Sequence, residues 1–134
     1  MGYQIEQIEG IAFDWLHEDT ILHVKFTTVK RRSLQALEVA MAEIVEHWTS
    51  GTFRILIDFS EGNFSPHLRQ ISNLVTRLIE EKELTGRRAV VVPNGVLGNL
   101  VANWAQSVRR NDRLLDTRIF KDTTTAYDWL KSLN

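Results

Sequence analysis

The sequence predicts an α/β fold: one compact domain over residues 1–134, built on a mixed, mostly parallel sheet with an N-terminal antiparallel hairpin and about four helices. Three observations predict it. Apolar residues first recur with period two, then as short continuous runs alternating with stripes at three- and four-residue steps. Strands that alternate with helices in this way imply right-handed crossovers and parallel pairing. A chain of 134 residues also suits a single core, which at that size buries roughly two-thirds of the unfolded surface.

Each element has its own signal. In "YQIEQIE" and "GIAFDWL" the residues Ile11, Phe13 and Trp15 alternate, and "TILHVKFTT" repeats the pattern with Leu22, Val24 and Phe26. The polar "HEDT" between them marks a hairpin. A first helix is expected from about Ser33 to Thr49, because Leu34, Leu37, Met41, Ile44, Val45 and Trp48 form one stripe. Thr28 or Ser33 would cap it, Gly51 would stop it, and Trp48 at its end should be the most exposed tryptophan. "FRILIDF" is a short apolar run suited to a central strand covered on both faces.

A second helix from Pro66 to about Glu83 would turn Leu68, Ile71, Val75, Leu78 and Ile79 inward, with Ser65 as N-cap and Gly86 just past its end. "RRAVVVP" is a further buried strand, and a third helix carries Leu97, Leu100, Val101, Trp104 and Val108. "TRIFK" forms an edge strand. Thr125 and Asp128 then have capping-box spacing before a last helix with Ala126, Trp129, Leu130 and Leu133.

Composition excludes several function classes. With 16 basic and 17 acidic residues the net charge is −1, which gives no reason to expect a nucleic-acid binder. There are no cysteines, hence no disulfide framework or thiolate site. The N-terminus lacks the basic and apolar regions of a signal peptide, and Glu6 stands where a myristoylation signal wants Ser or Thr. No apolar run approaches the ~18 residues of a membrane span. The expectation is a cytoplasmic domain without a membrane span and without a cofactor.

In open α/β sheets, ligands gather beyond the carboxyl ends of the strands. That rule selects the loops "TTVKRRS", "DFSEGNFSP", "VPNGVLG" and "FKDTTT". Their candidate partner- or ligand-binding residues are Asp58, Ser60, Asn63, Phe64, Ser65, His67, Arg31 and Asn94. Lys30 and Arg32 add charge that would suit a phosphate at helix N-termini. Each residue also has a plainer role. Ser65 before Pro66 is what a cap looks like, and Asp58 at a strand end suits a carboxylate that accepts bonds from loop N–H groups. "NGVLG" has too few glycines at the wrong spacing for a phosphate loop. His17, His23, His47 and His67 lack ligand-pair spacing, so no metal site is expected, and no Ser-His-Asp arrangement points to hydrolysis.

The hairpin start, "ILIDFSEGNF", "RRAVVVP" and the closing "IFKDTTTAYDWL" together resemble the STAS or SpoIIAA-like domains, the family of bacterial anti-sigma-factor antagonists. The resemblance spans nearly the whole chain and implies a SpoIIAA-like sheet-and-helix fold. In the phospho-regulated members a strand Asp and a loop Phe precede Asp-Ser-Ser-Gly, whose serine accepts phosphate. Asp58 and Phe64 match the lead-in, but the tetrad falls on Pro66, His67, Leu68 and Arg69, so the phosphorylation switch does not carry over. The broader SpoIIAA-like proteins, similar in fold to the CRAL-TRIO lipid-transfer domains, imply a binding module and not a catalyst.

The function expected is therefore a non-catalytic regulatory or adaptor domain that binds a protein partner through loop 58–68, with Phe64 as apolar anchor. The alternative is a carrier or sensor of a small apolar or anionic, lipid-like ligand at the carboxyl edge of the sheet. A homodimer through Ile21, His23 and Lys25 on the hairpin is a further expectation.

Overall fold

The computed structural model describes residues 3–27, 30–49, 51–61, 68–111 and 114–132. Along the chain they form β1 (Ile11–Leu16), β2 (Ile21–Phe26), α1 (Arg31–Glu46), β3 (Thr52–Asp58), α2 (Leu68–Lys82), β4 (Thr85–Val91), α3 (Val96–Asn111), β5 (Leu115–Phe120) and α4 (Thr123–Lys131). The sheet order is β1-β2-β3-β4-β5; β1 and β2 are antiparallel and the other pairs parallel. This is the mixed, mostly parallel α/β sheet with an N-terminal hairpin that the periodicity predicts.

Strands laid down in one direction by right-handed crossovers place all the crossover helices on one face. Leu37 and Met41 of α1, Ile71 and Ile79 of α2, and Val101 and Ala105 of α3 accordingly share one core with Val24, Phe53, Ile55 and Val90. The helix after the last strand folds back over the other face, where Ala126 and Leu130 cover Ile21, Leu56, Ala89 and Val91. Because the strand order never reverses, the sheet has no switch point, the crevice in which doubly wound sheets hold ligands.

Several local expectations are corrected. Helix α1 starts at Arg31, with Lys30 in the cap position and no side-chain cap bond; Ser33 is buried inside the helix and caps nothing. At its other end Lys82, from the last turn of α2, donates to the carbonyls of Val45 (2.8 Å), Glu46 and Trp48 (3.2 Å). A cation there satisfies orphan carbonyls at the negative end of the helix dipole. Trp48 is buried, against Phe53 (4.6 Å) and Trp15 (5.4 Å), and its indole N–H donates to the Thr52 carbonyl (3.1 Å). The strand that follows turns back at once and carries Phe53 under the indole.

Glu83, not Gly86, terminates α2: it adopts φ 58°, and the Leu84 N–H reaches the Ile79 carbonyl at 3.0 Å. Gly86 lies inside β4 opposite Phe53, where a Cβ would come within 1.8 Å of the Phe53 carbonyl oxygen. Helix α3 turns Gly98, Val101 and Ala105 inward and leaves Leu100 55% exposed, so small residues set its approach to the sheet. Asp122 caps α4 by accepting from the Thr125 N–H (2.7 Å), three residues before the capping box expected at Thr125.

The hairpin also differs from expectation. Tyr3–Gln7 is not a strand; it crosses α1, and only Ile8 bridges to Ile11. Strand β2 lies between β1 and β3, so Ile21 is fully buried beneath α4 and cannot present a dimer face. Among the described residues no helix is long and apolar enough to cross a membrane.

Candidate functional site

Parallel pairing of β2 to β5 brings the four selected loops to one edge of the sheet, as the strand order requires. The dipeptide Asp58-Phe59 sits at its centre. Successive residues of a strand point to opposite faces, and the two side chains use both. Phe59 is fully buried on the three-helix face, stacked on Phe26 (4.9 Å) and edge-on to Trp104 (5.7 Å). Its N–H continues the ladder to the Val91 carbonyl (2.9 Å).

Asp58 points to the α4 face and is 1% exposed. Its Oδ2 accepts from His23 Nε2 at 2.8 Å, and its Oδ1 accepts from the Ser60 N–H at 2.8 Å. Burial pushes the carboxyl up, but the hydrogen bonds from Ser60 and His23 outweigh it and hold the group below its ordinary value. With both oxygens occupied by donors that fix its ionised form, Asp58 is built to hold the loop exit and not to exchange protons. Beside it on β2, Lys25 pairs with Glu61 at 3.1 Å, a second tie between strand and loop.

Of the other predicted site residues, Ser60 is exposed, and both its side chain and its N–H help hold the Asp58 carboxylate ionised. Arg31 is exposed in the first turn of α1, and Asn94 is exposed between Pro93 and Gly95, where φ of 84° makes the turn into α3. Asn63, Phe64, Ser65 and His67 lie outside the described residues. The cations next to Arg31 are committed: Lys30 Nζ and Arg32 Nη2 each reach a Glu9 carboxylate oxygen at 2.7 Å. These two bonds keep the Glu9 carboxyl below its ordinary value. An anion would have to compete with Glu9 for both.

Two residues of this edge escaped sequence reasoning. The expected place of His23 is the open side of an edge hairpin; its side chain is only 20% exposed and bonded to Asp58. The signal was present, since a strand that leads into a crossover helix must have a parallel neighbour, which makes β2 internal. Glu9 carried no signal, because only the closure of the hairpin, with the Thr27 N–H on the Gly10 carbonyl (2.8 Å), brings it beside Lys30 and Arg32.

Beneath α2, the helical face holds a partly open pocket of about 50 Å³ lined by apolar side chains including Met41, Phe53, Ile71 and Val75, with Arg88 on its wall. Among the described residues no group of three or more His, Asp or Glu side chains is placed to hold a metal ion. Compared with family models, curated proteins and solved structures, the chain matches none.

Proposed function

We propose that this chain is a non-catalytic regulatory or adaptor domain, related to the SpoIIAA-like proteins it resembles, that binds a protein partner through loop 58–68. One observation carries the reading: Asp58 and Phe59 lock the base of the loop from both faces of the sheet, while Ser60 and Glu61 next to them stay exposed. A loop whose base is already ordered loses less conformational entropy when a partner docks. The bonding of Asp58 supports a positioning role over a catalytic one.

The carrier reading has less support. Sites for lipid-like ligands run from roughly 300 to 1,000 Å³, against the 50 Å³ beneath α2. Glu9 engages Lys30 and Arg32, so an anion there would have to displace it, while Arg31 beside them stays exposed.

A photo-crosslinking residue placed at Glu61, with a control at Glu83 on the opposite edge, tests the proposal in the native host cell. The Glu61 probe should yield one protein adduct of defined mass, the Glu83 probe should not, and Phe64→Ala with Asn63→Ala should remove the adduct. Equal labelling from both edges, or an adduct indifferent to those substitutions, would refute it.

A further inference from the structure

The stretch Tyr3–Ile8 crosses the outside of α1 as a strap fixed at its two ends. At the first, Tyr3 stacks on His47 (4.7 Å between centroids, 8° between planes), its hydroxyl donates to Glu43 Oε2 (2.7 Å), and its carbonyl accepts from Trp15 Nε1 (2.9 Å). At the second, Ile8 is buried and bridges to Ile11. Between these anchors Gln4, Glu6 and Gln7 are exposed while Ile5 turns inward.

The strap does not close against the helix. A cavity of about 440 Å³ separates it from α1, and another of about 440 Å³ separates it from β1. The α1 cavity has an apolar floor of Ala36, Val39 and Ala40, of which Ala40 borders the main core. Val39 is 60% exposed there, one of two large apolar side chains that the described residues leave open. Its rim is acidic: Glu6 and Glu43 line it, and no lysine or arginine does so among the described residues. The negative field is felt by Tyr3, whose phenol is held above its ordinary value by the bond to Glu43 first, then by burial and by the charges of Glu43, Glu6 and Glu46.

We propose that the cavity between the strap and α1 binds a small organic cation with an apolar body, an aromatic or alkyl ammonium. The volume falls within the range of roughly 300–1,000 Å³ typical of small-molecule sites. The alanine and valine floor takes the apolar body, and the Glu6 and Glu43 carboxylates with the Tyr3 ring take the positive head. An anion of the same shape meets like charge at the same rim, so charge decides between the two. The site lies on the outer side of α1, and nothing in the proposal depends on loop 58–68.

Titration with benzyltrimethylammonium, and separately with phenylacetate, followed by two-dimensional amide NMR of the intact protein, tests this. The cation should shift residues of both walls, Tyr3–Ile8 and Ala36–Glu43, in one saturable transition, and phenylacetate should not. The Glu6→Gln, Glu43→Gln double variant keeps side-chain size, so its amide spectrum should stay native while affinity for the cation falls by roughly fivefold or more. Equal binding of both probes, shifts that do not saturate or fall elsewhere, or a native-like double variant with unchanged affinity would each overturn the proposal.

Discussion

Asp58 shows how one side chain fixes a functional edge. A charge-assisted hydrogen bond contributes about 1.5–3 kcal/mol, and a buried group left without its partner costs a similar amount. Asp58 is held by such bonds from Ser60 and His23 while 1% exposed. Asp58→Ala should therefore destabilise the protein by about 3 kcal/mol in urea denaturation at neutral pH. The folded carboxyl titrates below its unfolded value of about 3.9, so its contribution is complete above that value and disappears as pH falls through the folded pKa. The gap between wild type and Asp58→Asn should accordingly narrow from pH 7 towards pH 3; a constant gap would contradict the bonding described. The Asp at the strand end was legible in the sequence, and so was its role as an acceptor of loop N–H groups. Its histidine partner was not, because His23 and Asp58 meet only once β2 and β3 pair in register.

At the scale of elements, the ends are less legible than the stripes. The apolar faces of α1 and α2 stand where their spacing predicts, because burial of a stripe is a property of the local sequence. Helix termini answer to neighbours: Lys82 serves the last carbonyls of a different helix, and Glu83 takes a left-handed conformation that Gly86, needed further on for close strand pairing, could not supply from its position. A non-glycine residue in that conformation costs about 1 kcal/mol. Glu83→Gly should thus raise stability by about 0.5–1 kcal/mol, and Gly86→Ala should lower it by about 2–3 kcal/mol through collision with the Phe53 carbonyl. Urea midpoints of the two variants check both signs, and the reverse order would mean that Gly86 is the helix stop after all. In α3, Val101 is buried as its spacing predicts, but Leu100 stays 55% exposed and Ala105 is buried instead, since a close approach to the sheet favours the smaller side chains.

For the whole molecule, the unreversed strand order places three helices on one face and a single helix on the other. The crowded face still holds its cavity of about 50 Å³ beneath α2. At about 24 cal/mol per Å³ a fully closed void of that size costs about 1 kcal/mol, the upper limit for this partly open one. Val75→Ile, which adds one methylene at its wall, should recover part of this, up to about 1 kcal/mol, in thermal or urea unfolding. A loss of more than 1 kcal/mol would mean that the space is already filled.

By itself the sequence determined the α/β class, the hairpin start, the order of the elements and the buried stripes of α1 and α2. All of these follow from periodicity, a local property in which each residue needs only its neighbours three or four positions away. The sequence also marked β5 as an edge strand; the tertiary structure alone decided where the helix ends find their caps. It also decided that Glu9 pairs with both Lys30 and Arg32, that His23 holds Asp58, and that the segment from Tyr3 to Ile8 forms a strap over α1. Each of those contacts joins groups far apart in the chain, and such a pairing depends on register and strand order, which no window of sequence contains.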